Sequence, residues 1–197
     1  MAQATPTTTP ASARQNPILI RPALPPDAPA IAALGAHVFS ATFGHSVSPD
    51  ELSAYLSKEY TPASITSDLQ NPAKDTFVAV RNNASNNADN NDAKILGFAT
   101  LTQGTSEPCV DALESKVELQ RIYVDTGAQG RGVGGMLARR AEWVARERGF
   151  EHVWLGVWEE NAGAQRAYER WGYGKVGQHD FVIGTVVQTD WIMVKKL

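Results

Sequence analysis

The sequence predicts an α+β domain built on a mixed, mostly antiparallel sheet flanked by helices. Three observations carry this expectation. The segments run in the order β-α-α-α-β-β-β-α-β-α-β-β, which leaves room for one βαβ unit with parallel strands and otherwise favours hairpins. The βαβ unit contains a loop with five glycines in the nine residues from Gly127 to Gly135, set between a β-branched strand and an amphipathic helix. The chain finishes in "GQHDFVIG" and "QTDWIMVKK", which read as a β-hairpin.

Each element has a local reason. The first seventeen residues are rich in Thr, Ala, Ser and Pro, lack an apolar signal-peptide core, and are expected to form a disordered tail. "ILIRP" (Ile18–Pro22) is a short strand stopped by proline. Asp27 is the expected N-cap of a helix on which Ile31, Leu34 and Val38 recur at helical spacing. "SPDELSAYLSKEY" starts a second helix with Ser48 as N-cap, Pro49 at the first position and Glu51 completing a capping box. "ASITSDLQ" is a short third helix. "TFVAVR" and "ILGFATLT" form a hairpin around the asparagine-rich segment 82–93, whose composition cannot build a core and which is expected to be a flexible insertion. "VELQRIYV" (Val117–Val124) leads into the glycine loop. The helix after it buries Leu137, Ala141, Val144 and Ala145 and exposes Arg139, Arg140, Arg146 and Arg148. "HVWLGVW" follows as a strand. Asn161 then opens a helix on which Ala164, Ala167, Tyr168 and Trp171 share a face. Residues 18–197 are therefore expected to be a single domain.

Bulk properties narrow the function. A formal charge of -3 argues against nucleic acid as the main partner. No apolar run is long enough to span a bilayer. The single cysteine, Cys109, excludes an internal disulfide and a cysteine zinc cluster, so no metal site is expected and a reducing, cytoplasmic compartment is. A homodimer stays open as the oligomeric state.

Glycines crowded before a helix bring backbone N–H groups close to phosphate. Gly130, Gly132 and Gly135 satisfy the dinucleotide pattern G-x-G-x-x-G, but the five residues Asp125 to Gln129 separate the strand from Gly130, and the repeated parallel halves of a dinucleotide fold are missing. A nucleotide-triphosphate loop requires Lys-Ser/Thr after its last glycine, where Gly135 and Met136 stand. The pattern Gln129-x-x-Gly132-x-Gly134, with "IRPALPPDAPAIAAL" before it and "NAGAQRAYERWGY" after it, resembles the GCN5-related N-acetyltransferase (GNAT) superfamily over Ile18 to Lys196. "WLGVWEEN", "GQHDFVIG" and "QTDWIM" are similar to its PaiA-type branch of spermidine/spermine N-acetyltransferases.

The resemblance implies acetyl-CoA as co-substrate, held by Gln129, Gly130, Arg131, Gly132, Val133 and Gly134 at the pyrophosphate. It implies backbone contacts from Ile122, Tyr123 and Val124 to the pantetheine arm, and further contacts from Asn161 and Tyr168. It also implies Tyr168 as general acid toward the departing thiolate and Glu118 as general base. For Glu118 a solvated strand-start carboxylate stays open, as does a plain N-cap for Asn161 and core packing on Trp171 for Tyr168. His37, His45, Trp158 and His179 are candidates for an amine pocket, and Glu51, Glu59, Glu159 and Glu160 for attracting a polycation. The expected partner is a small-molecule primary amine, a polyamine first. Acetylation of a protein N-terminus or lysine, and a non-catalytic acyl-CoA sensor, are the alternatives.

Overall fold

The computed structural model describes residues 17–81 and 94–197. The expected tail, apart from Pro17, and the insertion 82–93 lie outside the described residues. Seven strands form one sheet: β1 (Ile18–Pro22), β2 (Lys74–Arg81), β3 (Ile95–Thr102), β4 (Lys116–Val124), β5 (His152–Trp158), β6 (Gly174–Ile183) and β7 (Val186–Lys196). Their order is β1-β2-β3-β4-β5-β7-β6. The helices are α1 (Ala28–Phe43), α2 (Pro49–Glu59), α3 (Pro62–Gln70), α4 (Val133–Glu147) and α5 (Ala162–Arg170). The order of elements is the expected one.

Period-two alternation sorts the side chains onto two faces. Phe77 and Ala79 of β2, and Leu96, Ala99 and Leu101 of β3, meet α4 and Tyr168 in one core. Val78, Val80, Ile95 and Phe98 meet Ile31, Leu34, Val38 and Phe39 of α1 in the other. Because β3 is central and covered on both sides, all eight of its residues are buried.

Two local features shape the middle of the sheet. The β3–β4 register shifts between Thr100 and Leu101, which pair with Arg121 and Leu119, so Gln120 is the extra residue of a β-bulge. The bulge resets the alternation: Val117, Leu119, Ile122 and Val124 join the α4 core, while Tyr123 joins the α1 core. The parallel pairing of β4 with β5 covers Lys116–His152, Val117–Val153 and Glu118–Trp154 and goes no further. Beyond Glu118 the strands part, and that edge of β4 keeps backbone N–H and C=O groups without a strand partner.

One expected cap is corrected. Asp27 does not cap α1 with its side chain. Its carboxylate instead takes a bidentate pair from Arg21, at 2.6 and 2.9 Å, and the Leu24 N–H at 2.7 Å. Two charge-assisted bonds to a guanidinium outweigh one neutral cap, and the Pro25–Asp27 turn leads into the helix instead. Ser48 and Glu51 do form the capping box, and Glu51 Oε1 also accepts from the Thr185 N–H and hydroxyl, tying α2 to the β6–β7 turn.

Candidate active site

The parting of β4 from β5 opens a cleft of about 1300 Å³, lined by the glycine loop, the start of α4, one face of α5 and the aromatic end of α1. The loop leaves β4 through a turn in which Asp125 accepts the Gly127 N–H. Gln129 Nε2 donates to the Val124 carbonyl at 3.3 Å, fastening the loop to the strand end. Gly130 and Gly132 adopt φ of +72° and +80°, a region costly for residues with a Cβ. Gly132 is the N-cap of α4 and makes no side-chain cap. The first N–H groups of this 15-residue helix therefore have no intrahelical acceptor and no capping side chain. An anionic phosphate group fits such a helix end, where unpaired donors and the helix dipole act together.

The reason for the later glycines differs from the expectation. A Cβ on Gly134 would lie 3.2 Å from Trp171 Cη2, and one on Gly135 would lie 3.5 Å from Trp171 Nε1. Close packing of α4 on the end of α5 accounts for Gly134, the Trp171 contact at Gly135 is of ordinary van der Waals length, and Gly130 and Gly132 answer to backbone conformation.

The α5 side is set by Asn161, whose side chain accepts the Ala164 N–H at 3.1 Å. Asn161, Ala164, Ala167, Tyr168 and Trp171 all line the cleft. Tyr168 is 8% exposed, packs edge-on to Trp171 at 5.6 Å and to Tyr173 at 5.9 Å. Burial, with Tyr123 and Asp190 adding to it, raises its pKa above the ordinary tyrosine value, so the hydroxyl is protonated at neutral pH. Both the chemical and the packing reading of Tyr168 are compatible with this environment.

Glu118 lines the cleft where β4 and β5 separate. It is half-buried rather than a solvated strand-start carboxylate. Burial raises its pKa, with Thr105 and His179 pulling the other way.

Other candidates divide. His45, Trp158 and His179 line the cleft; His37 does not, and its Nε2 lies 3.4 Å from the Thr126 hydroxyl. Glu59 and Glu160 line it, but Glu59 is held by Arg121 at 2.9 Å, and Glu51 is occupied by Ser48 and Thr185. Ile122, Val124, Gln129, Gly130, Gly132, Val133 and Gly134 line it; Arg131 is exposed outside it. The Tyr123 hydroxyl accepts from Tyr60 at 2.8 Å, so its side chain is engaged with the α1 side while its backbone stays on β4. Of the four arginines on and just after α4, Arg139, Arg146 and Arg148 are exposed as expected and Arg140 is half-buried. Arg139 reaches the cleft, Arg140 lies over the Phe77 and Trp143 rings, and Arg148 pairs with Asp75.

Two groups were missed at the sequence level. Arg121 is buried in the wall, bonded to Glu59 and to Asp68 at 2.7 Å and stacked over Tyr60 at 5.5 Å. Asp190 of β7 lines the cleft floor beside His179, and burial pushes its carboxyl up to about 6, against the pull of His179. A signal for Asp190 existed. The two-residue turn between Ile183 and Val186 fixes the hairpin register, and counting back from it sets His179 opposite Asp190.

A divided β4–β5 pair, an uncapped helix end that suits a phosphate and a tyrosine thus line one cleft. The chain belongs to the acetyltransferase (GNAT) family, whose model matches residues 45–173. It is an N-acetyltransferase of that family, and acetyl-CoA is the family's co-substrate. Over 172 residues it is 28% identical to an "Uncharacterized N-acetyltransferase in pepI 3'region" of Lactobacillus delbrueckii, covering 87% of this chain and 92% of the relative. A streptothricin acetyltransferase of Streptomyces lavendulae is 36% identical over 86 residues, 44% of this chain and 42% of its own. A "Probable spermine N(1)-acetyltransferase" of Bacillus subtilis subsp. natto is 31% identical over 88 residues, 44% of this chain and 54% of its own. In fold the chain is similar to the PaiA N-acetyltransferase of Thermoplasma acidophilum, solved with coenzyme A, at a TM-score of 0.70 and 19% identity over 92% of this chain and 99% of that one. Among the described residues no helix is long and apolar enough to cross a membrane, and no group of three or more His, Cys, Asp or Glu is arranged to hold a metal.

Proposed function

We propose that this enzyme transfers acetyl from acetyl-CoA to a primary amine of a small molecule, with a polyamine such as spermidine or spermine as the leading acceptor. The observation that carries the reading is the cleft's acceptor end, where the half-buried carboxyls of Glu118 and Asp190 stand among aromatic rings. Carboxyls in such a setting suit a compact aliphatic cation. The similarity to a probable spermine acetyltransferase supports the same class. The similarity to a streptothricin acetyltransferase supports small amines more broadly.

The residues divide the chemistry as follows. Unpaired N–H groups from Gly130 through Gly134, with Gln129 holding the loop, bind the pyrophosphate, and the free edge of Ile122 to Val124 aligns the pantetheine arm and thioester. Arg131 lies outside the cleft and keeps only a peripheral or backbone part. Asn161 caps α5 and fixes the wall carrying Tyr168. The bound thioester supplies an activated acyl group. A primary amine is mostly protonated at pH 7, with a pKa near ~10.4, so Glu118 takes up its proton directly or through water. The neutral nitrogen attacks the thioester carbon, the C–S bond breaks as the C–N bond is completed, the Tyr168 hydroxyl donates its proton to the sulfur, and the second N–H proton leaves the amide nitrogen to restore the Tyr168 hydroxyl, directly or through water.

Tyr168→Phe tests the reading, because it keeps the ring against Trp171 and removes only the donor. A fall in kcat of roughly 10²-fold is expected with acetyl-CoA affinity and melting temperature little changed. Full activity would reduce Tyr168 to a core aromatic, and a stability loss matching the activity loss would make its role structural.

A further inference from the structure

The floor of the cleft holds an arrangement that acetyl transfer alone does not call for. His179 Nδ1 lies 2.8 Å from Glu107 Oε1. A carboxylate can only accept, so Nδ1 carries the proton, and in the neutral ring Nε2 presents a lone pair. Nε2 faces Asp190 Oδ2 at 3.8 Å, beyond hydrogen-bond distance, and the other oxygen, Oδ1, is buried without a partner. Two acceptors thus face one another across a gap, and neither oxygen of a carboxylate only 15% exposed receives a donor within hydrogen-bond distance from the described residues. Gly156 lies beneath them, where a Cβ would stand 3.3 Å from Oδ2 and 3.4 Å from Nε2. Trp158 pairs with Asp190 in register and packs against Phe43 at 5.3 Å, giving the gap an aromatic wall.

An acceptor pair of this kind is completed by a group with several donors and a positive charge. An ammonium has three N–H donors in a compact head, and an aromatic wall favours its charge. Among the described residues no lysine or arginine lies within 4.0 Å of the Asp190 carboxylate, and the nitrogen that does, His179 Nε2, is a cation only when the ring is protonated; with the ring neutral the chain leaves the carboxylate without a cation. The clamp is also within electrostatic reach of Tyr168, whose pKa the Asp190 charge helps to raise. Glu118, Tyr168, His179 and Asp190 line the same cleft, so an aliphatic diamine can place one nitrogen near Tyr168 and Glu118 and seat the other on the floor.

We propose that His179 Nε2 and Asp190 Oδ2 form a clamp for a second, non-reacting ammonium of the acceptor, which makes the enzyme selective for diamines and polyamines over monoamines. The proposal rests on the reading of the acceptor as a small amine. Glu107 is a positioning residue that holds the His179 tautomer.

The test compares kcat/KM for butane-1,4-diamine and n-butylamine in the wild type, Asp190→Asn and His179→Phe, with calorimetric binding of butane-1,4-diamine to each protein in the presence of CoA. The wild type is expected to prefer the diamine, and Asp190→Asn to lower the diamine-to-monoamine ratio by about 100-fold, the loss typical of removing one partner of a desolvated charge pair. The change should appear in diamine KM and in the calorimetric affinity. His179→Phe, which removes Nε2 and keeps a ring, should lower the ratio in the same direction and serves should Asp190→Asn not fold. A ratio that is unchanged because both amines lose equally overturns the clamp. Equal wild-type use of the two amines also overturns it and leaves the small-amine reading standing. Turnover of a peptide with neither amine accepted would remove that reading and the clamp together.

Discussion

Asp190 carries a charge that the surrounding protein leaves largely uncompensated, and this has a cost in stability. Burial pushes its carboxyl up to about 6, whereas in the unfolded chain it titrates near ~3.9. Between those values the unfolded chain has released a proton that the native state still holds, so stability falls as pH rises from about 4 to 6. The groups acting on it are His179 from β6 and Glu159 after β5, with the Tyr55, Tyr123 and Tyr168 hydroxyls in the same field. Asp190→Asn is expected to be more stable than the wild type at pH 8 by about 2 kcal/mol, the gain shrinking to nothing below pH 4. Denaturant melts at the two pH values check this, and a variant less stable at pH 8 would contradict it. Glu118 is raised in the same direction by burial. As the proposed base it is competent only above its own pKa, so wild-type kcat/KM should fall on the acid side. Glu118→Gln should lose most near neutral pH and progressively less toward pH 10, where free amine is already deprotonated. A loss constant across that range would assign Glu118 to structure or binding instead.

At the scale of elements, α4 and its loop combine two demands that the sequence presents as one. Gly132 stands at φ +80° at the start of α4, and in the proposed site it is also where the phosphates approach. Gly132→Asp adds a Cβ in a disfavoured region and a like charge, and calorimetry should find acetyl-CoA binding abolished; wild-type affinity would refute the loop assignment. The helices and strands were legible because their signals are local: the Ser48–Glu51 box, the Asn161 cap and the alternation of β2 and β3 each lie within a few residues. What was not legible depends on distant partners. Asp27 satisfies the helix-cap pattern but is claimed by Arg21, and the Gln120 bulge shows only through its pairing with β3. Arg121 could not be distinguished from a surface arginine before Glu59 and Asp68 were brought to it. Asp190 was the accessible omission, since the hairpin turn already determined its neighbour. The hairpin that brackets 82–93 closes with the Arg81 N–H donating to the Lys94 carbonyl at 3.4 Å, so its ends are already side by side. Replacing Asn83–Asn91 by a short turn is expected to leave melting temperature and kcat nearly unchanged. A large fall in kcat with stability intact would give the segment a part in catalysis.

Across the whole molecule, one topological event creates the site. Parallel pairing of β4 and β5 ends after Glu118 and Trp154, and the two strands then carry their free edges to opposite sides of one cleft. The helix that follows β4 brings phosphate-type donors to the opening, and the helix that follows β5 brings Tyr168. The β6–β7 hairpin, anchored on α2 through Glu51 and Thr185, brings His179 and Asp190 to the floor. In the proposed reaction donor and acceptor enter between the same two strands, and substrate choice is assigned to the hairpin and the aromatic end of α1. The most direct measurement is a competition in one vessel: equal concentrations of spermidine, a streptothricin-type antibiotic and a histone-like peptide, limiting acetyl-CoA, and products counted by mass spectrometry. Their ratio gives the ratio of kcat/KM values with no difference in enzyme preparation. Acetylspermidine as the dominant product is the predicted result; dominance of the acetylated peptide would contradict the small-amine reading, and dominance of the acetylated antibiotic would contradict the polyamine preference.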